Sequence, residues 1–208
     1  VNPNNPTGQH VPRAAWLPTL AALPAHTKVW VDEAYIDYVH SSESLESFAM
    51  TSQNIIVCKS MSKVYALSGA RVGYLCAPQP LAQELQLLSP PWAVSLPAQV
   101  AAVAALQSPA YYWQRYEQTH QLRTQLVDAL QRVKGLEVLP SVANFVLCHL
   151  PLSGPDAKTL TQACHAQGVF IRGLSSVSQQ FGGRAIRIAV KDAPTNQRIV
   201  EVITKALL

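Results

Sequence analysis

Charged residues are scarce in this 208-residue chain, 13% of the total. The 16 lysines and arginines exceed the 12 acidic residues by a formal net charge of +4, and they stand singly; Arg132/Lys134 and Arg184/Arg187 come nearest to a cluster. Nucleic-acid binding draws on a stripe or patch of positive charge, so no nucleic-acid partner is expected. Long apolar runs are lacking too. The longest, Val94 to Leu106, is interrupted by Ser95, Pro97 and Gln99 and falls short of the roughly 20 residues of a membrane span. A soluble protein without a membrane partner is therefore expected. Val1 leads into an Asn/Pro-rich run, which lacks the basic-then-apolar pattern of a secretory signal. The four cysteines (Cys58, Cys76, Cys148, Cys164) lie far apart with no CxxC, a pattern that predicts free thiols in a reducing cytoplasm. The six histidines form neither HExxH nor an i, i+4 pair, so no metal site is expected.

Apolar residues are plentiful at 49%, enough for a real core and too many for a disordered chain. The length suits one large domain or two small ones. The absence of an initiator methionine, with a loop following at once, reads as a segment of a longer polypeptide. Asn2–Gly8 is a loop by composition. Pro12 can open a helix through Ala14–Leu23, with Pro18 as a kink or break. Val29-Trp30-Val31 reads as a buried parallel strand whose carboxyl end carries Asp32 and Glu33. A short helix is expected over 43–50, strands over 55–58 and 72–77, and a helix over 80–88. The polar stretch 59–69 reads as irregular.

From Leu96 to Val133 the pattern is helical in two pieces, with Ser108-Pro109 as N-cap and N1 of the second. Leu122, Leu126, Leu130 and Val133 keep helical spacing as core positions, and Gly135 supplies the stop. Strands follow at 136–139 and 144–149, a helix over 155–167 closed by Gly168, strands at 169–172 and 185–190, and a final helix over 194–208. Strands alternating with helices make the chain α/β. The helices of 96–133 are expected to join part of one domain to a smaller one near 135–208.

Lys63 lies in Ser60-Met61-Ser62-Lys63, just beyond the second strand. Open α/β sheets bind ligands at the carboxyl ends of their strands. Arg71 follows, flanked by Gly69 and Gly73, which permit close backbone approach. If the strands are parallel neighbours, Asp32, Tyr35 and Lys63 converge on one edge. A lysine can form a Schiff base with an aldehyde cofactor, and an acid can hold a pyridinium nitrogen protonated. Hydroxyls and an arginine can hold a phosphate. Taken singly, each residue has a plainer account: a solvated lysine, an Asp N-cap, a surface arginine. Their order and spacing set the combination apart.

The runs Asn2-Pro-Asn-Asn-Pro-Thr-Gly8, Asp32-Glu-Ala-Tyr35 and Ser60-Met-Ser-Lys63 with Arg71 resemble the signatures of class I/II aminotransferases, the fold-type I pyridoxal 5'-phosphate (PLP) enzymes. Within that family, Pro140-Ser-Val-Ala-Asn-Phe145 looks most like histidinol-phosphate aminotransferases and threonine-phosphate decarboxylases. The resemblance implies that residues 1–95 are the C-terminal part of a PLP-binding large domain, 96–134 linking helices, and 135–208 a small α/β C-terminal domain. It makes Lys63 the Schiff-base lysine and proton carrier, and Asp32 the partner of the pyridine nitrogen. Tyr35 and Asn5 would bond the phenolic oxygen, and Ser60, Ser62 and Arg71 the phosphate. Arg187 would clamp the substrate carboxylate, and Arg172 contact a substrate phosphate.

The implied activity moves an amino group between an amino acid or amino-phosphate and a 2-oxo acid, in a homodimer. Two departures stand out. The preceding half of the large domain, with its phosphate loop and stacking aromatic, is not in this sequence, so the segment alone is expected to be inactive and to expose a sheet edge. The tail Ile188-Ala-Val-Lys191 looks more like the decarboxylase. Rival readings are therefore an O-phospho-amino-acid decarboxylase and a non-catalytic fragment serving as an interaction module. Trp92 is expected to pack, and Tyr111, Tyr112 and Trp113 to face the other domain or a partner subunit.

Overall fold

The parallel pair expected around Asp32 forms. In the computed structural model, which describes residues 1–207, β1 (Val29–Asp32) and β2 (Ile55–Ser60) run parallel with Asp32 opposite Cys58. β3 (Gly73–Cys76) adds antiparallel to β2, with Ser60 opposite Gly73. The strand order β1-β2-β3 puts the Ile/Val-rich β2 in the centre, where it is buried, and leaves two edges. β1 is accordingly not the fully buried strand its composition suggests: Trp30 is 54% exposed.

The chain divides into two compact units. The first comprises Val1–Pro3 and His10–Tyr116; the second comprises Asn4–Gln9 and the residues from Glu117 onward. In the first unit α1 (Arg13–Ala21) runs through Pro18 without ending there. Its Leu20 joins Val31, Leu45, Ala49, Ile55 and Val57 in one core cluster. The short α2 (Glu46–Thr51) and α3 (Gln79–Leu87) precede and follow the β2–β3 pair. β2 extends two residues further than expected, so Lys59 and Ser60 are strand residues rather than loop. Another apolar cluster joins Met61 and Val72 to Ala98, Ala102 and Ala105 of α4 (Leu96–Leu106).

α5 (Pro109–Leu130) starts at Pro109 as expected, but the Ser108 hydroxyl donates back to the Ala104 carbonyl at 2.9 Å instead of capping α5. Tyr112 and Trp113 pack within the first unit, on Tyr65 (centroids 4.9 Å apart) and His40 (5.6 Å). Trp92, expected to pack, is 94% exposed.

The second unit is an antiparallel sheet in the order β4 (Glu137–Val138), β5 (Phe145–His149), β7 (Ala185–Ala189), β6 (Arg172–Gly173). Of the strand expected over 169–172, only Arg172 pairs. α6 (Ala157–Ala166) opens on Asp156, whose carboxylate accepts from Thr159 N at 2.8 Å, an ordinary N-cap. The chain leaves α6 through Gly168 at φ +73°, a left-handed position suited to glycine. α7 (Ala193–Leu207) buries Ile199, Val202 and Ile203 at helical spacing against Leu126, Leu130 and Val133. Leu208 lies outside the described residues. No described helix is long and apolar enough to cross a membrane, and the four cysteines are free.

Candidate functional site

Asp32, Tyr35 and Lys63 gather at the carboxyl ends of β1 and β2. Asp32 ends β1 exposed, its carboxylate accepting from Ala34 N at 2.9 Å, a turn that starts the run to Tyr35. Tyr35 is buried, and the Lys63 ammonium stands 5.7 Å from its ring centroid. Ser60 closes β2; its hydroxyl bonds the Ser62 hydroxyl at 3.1 Å and accepts from Ser62 N at 3.4 Å. The loop carrying Lys63 is pinned at its base by Met61 N to Val72 O (3.2 Å) and Leu67 N to Met61 O (3.0 Å).

Arg71 is held at φ +52°, a left-handed conformation that costs a side-chain-bearing residue about 1–3 kcal/mol. Its Nη1 donates to Ser68 O at 2.9 Å. Gly73 is required: a Cβ there would meet the Lys59 carbonyl oxygen at 2.5 Å. Gly69 has nothing within 4 Å and carries no such requirement.

A cluster the sequence did not single out lies on the opposite side of the same strand ends. Lys59 is buried, with its ammonium 3.4 Å from Glu33, 3.5 Å from Asp37 and 3.9 Å from Glu46. Glu33 also accepts from the Ser44 hydroxyl (2.6 Å) and Leu45 N (2.7 Å). Strand alternation was the available signal: a lysine flanked on its strand by a buried valine two positions earlier faces the core. Burial pushes the Asp37 carboxyl above its usual range, opposed by Lys59 and reinforced by Glu46. Burial, with the Asp32 charge, likewise raises the Cys58 thiol.

The Asp37 shift sets a pH dependence. A carboxyl whose folded pKa is raised favours the fold below its unfolded value near 3.8, and that contribution fades as pH rises through the folded pKa. Relative to Asp37→Asn, the wild type is therefore expected to lose thermal stability as pH rises from about 3.8 through the mildly acidic range. Paired melting curves across pH check this; a constant difference in Tm would contradict it.

The remaining residues assemble in the second unit. The Asn4–Gln9 loop is closed by Gly8 N to Asn4 O (2.7 Å) and Asn4 N to Gln9 O (2.8 Å). Pro140–Phe145 seats it: Val142 N donates to Gly8 O at 2.9 Å. Arg123 of α5 in turn donates to the carbonyls of Val142 (2.9 Å) and Ala143 (3.0 Å). Two separate sequence motifs are thus one structure. Arg187, on β7, donates through Nη1 to Asn5 Oδ1 at 2.7 Å, and its guanidinium lies 4.9 Å from the Phe145 ring centroid. Arg172 on β6 is the direct cross-strand partner of Arg187. Like charges directly opposite are destabilising, so this sheet face suits an anion.

Gly8 sits at φ +69°, and a Cβ there would fall on the Ser141 hydroxyl, which is itself bonded to Phe145 O at 2.6 Å. Gly8→Ala is expected to cost more than about 1 kcal/mol and to displace Asn5. Chemical denaturation of both proteins measures the cost, and an unchanged midpoint would remove this role of Gly8.

The chain matches the family described as aminotransferase class I and II over residues 1–203, and it belongs to that family. It is 33% identical over 204 residues to the histidinol-phosphate aminotransferase of Rhodopseudomonas palustris (strain BisB5), covering 96% of this chain and 54% of the relative. Among solved structures it is similar to the histidinol-phosphate aminotransferase from Sinorhizobium meliloti in complex with pyridoxal-5'-phosphate. That similarity has a TM-score of 0.83 and 28% identity, covering 98% of this chain and 56% of the other. The L-threonine-O-3-phosphate decarboxylase from Porphyromonas gingivalis matches with a TM-score of 0.84 and 25% identity, covering 98% and 62%. The chain spans about half the length of the curated relatives it matches.

Proposed function

We propose that the whole protein is a PLP-dependent aminotransferase moving an amino group between an amino acid or a histidinol-phosphate-like amino-phosphate and a 2-oxo acid. The observation that carries this reading is the convergence of an acid, a phenol, an amine, two hydroxyls and a strained arginine on the ends of β1 and β2. That donor set fits PLP group by group. Asp32 would hold the ring nitrogen protonated, with Ala34 N fixing its carboxylate. Tyr35 and Asn5 would hold the phenolic oxygen. Because Asn5 Oδ1 accepts from Arg187, its amide nitrogen is the donor end. Ser60, Ser62 and Arg71 would hold the phosphate through charge-assisted hydrogen bonds. Residues 1–95 would then be the C-terminal part of the cofactor-binding large domain, 96–134 the linking helices and 135–208 the small domain.

Bound PLP supplies an electron sink for the pair left at the substrate Cα. The chain's own residues do the rest. Arg187 would clamp the substrate carboxylate with its planar fork, held by Asn5 and Phe145, and Arg172 would meet a substrate phosphate. With the carboxylate so held, Lys63 would take the Cα proton at Nζ and give it up again as the amino group is transferred. The four free thiols support a reducing cytoplasm as its place, and a homodimer is the proposed working form.

Decarboxylation of an O-phospho-amino acid is the second reading, supported by the likeness to the Porphyromonas gingivalis protein and by the tail Ile188–Lys191. The test is to incubate the whole protein with amino acids and phospho-amino acids, with and without 2-oxoglutarate. Amino transfer that requires the keto acid is expected. Carbon dioxide release without a keto acid would replace the first reading with the second, and the absence of any visible band with PLP would overturn both.

A further inference from the structure

We infer that Lys59 is a positioning residue for the cofactor groups, acting through a buried ionic tether on the far side of the strands that carry them. The inference rests on the PLP reading above. Consecutive strand residues point to opposite faces. Asp32 and Cys58 are register partners, so Asp32, Cys58 and Ser60 share one face while Glu33 and Lys59 share the other. The backbone pairing continues past β1, since Glu33 N donates to Cys58 O at 2.9 Å. The Lys59–Glu33 pair, at 3.4 Å, therefore clamps β1 to β2 one residue from Asp32 and one residue from Ser60.

The tether reaches further than this pair. Asp37, 3.5 Å from Lys59, lies two residues beyond Tyr35 and ties down the turn that carries it. Tyr74 is the register partner of Lys59 on β3, and its neighbour Gly73 lets the Lys59 carbonyl approach closely. Glu46, 3.9 Å away, adds the start of α2. One ammonium thus joins the chain on either side of the groups assigned to the ring nitrogen, the phenolic oxygen and the phosphate. Three carboxylates around one ammonium leave a net charge of −2, and loss of Lys59 would take it to −3. Catalytic groups must be held within about 0.5 Å of their working geometry. A lysine that faces away from the site can therefore govern it.

The test titrates the apo form of the whole protein with PLP, following tryptophan fluorescence and the visible absorption, alongside melting curves. Lys59→Met keeps the stem and removes the charge. It is expected to weaken PLP binding by about 10–100-fold, the range typical when a supporting partner of a binding group is lost, and to move the pH at which the visible band changes. Lys59→Arg, which keeps the charge, is expected to restore both. If Lys59→Met does not fold, the double variant Lys59→Met/Asp37→Asn keeps the net charge of −2 and is expected to show the same loss.

A lower Tm with wild-type PLP affinity and an unmoved band would make Lys59 purely structural and overturn the inference. Failure of the wild type itself to bind PLP would overturn the cofactor reading, and this inference with it.

Discussion

Lys63→Ala in the whole protein is expected to abolish the borohydride-trappable PLP adduct and to reduce turnover by roughly 10⁴-fold, the upper end for losing a positioned acid–base group. Lys63 is exposed on a turn directly beyond β2, with its ammonium near the Tyr35 ring. An amine that must bond an incoming aldehyde needs this access. The competing lysine nearby, Lys59, is buried and ion-paired to carboxylates, so it lacks the access an incoming aldehyde needs. Mass spectrometry of the reduced, digested adduct distinguishes them. An adduct on Lys59, or one that survives in the Lys63→Ala variant, would reassign the chemistry.

Asp32→Ala is expected to leave PLP bound while lowering kcat by roughly 10²–10³-fold or more, about 3–4 kcal/mol of lost electrostatic stabilisation. Its carboxylate is oriented by Ala34 N and by the end of β1, so it is preorganised for a ring nitrogen that carries a proton. The phosphate and phenolic contacts assigned to Ser60, Ser62, Arg71 and Tyr35 do not involve it, which is why binding is expected to persist. Steady-state rates together with a PLP titration separate the two effects. Near-normal turnover with bound PLP would remove Asp32 from this role.

Much of the fold could be read from local pattern. The β-branched runs at 29–31 and 55–58 became β1 and β2, and Ser108-Pro109 separated α4 from α5 as expected. The core spacing of Leu126, Leu130 and Val133 also held. Misreadings fell where a neighbouring strand decides the outcome. Lys59 looked like the start of a polar loop, yet pairing with β3 keeps it in β2 and places three carboxylates around it. Strand pairing at 169–172 shrank to Arg172–Gly173, because only those residues meet β7.

The candidate site divides along the same line. The residue types and their order, Asn5, Asp32, Tyr35, Ser60, Ser62, Lys63, Arg71, Arg172 and Arg187, were legible in the sequence, because short motifs bind their chemistry to fixed spacings along the chain. Only the tertiary structure decided which of them meet. Asn5 and Arg187 are far apart in sequence and share a 2.7 Å hydrogen bond; the register of β6 on β7 sets Arg172 opposite Arg187; and the alternation of two parallel strands sends Asp32 and Ser60 to one face and Glu33 and Lys59 to the other. Local backbone preference extends over a few residues, whereas strand register and long-range hydrogen bonds depend on packing between segments that no local pattern specifies.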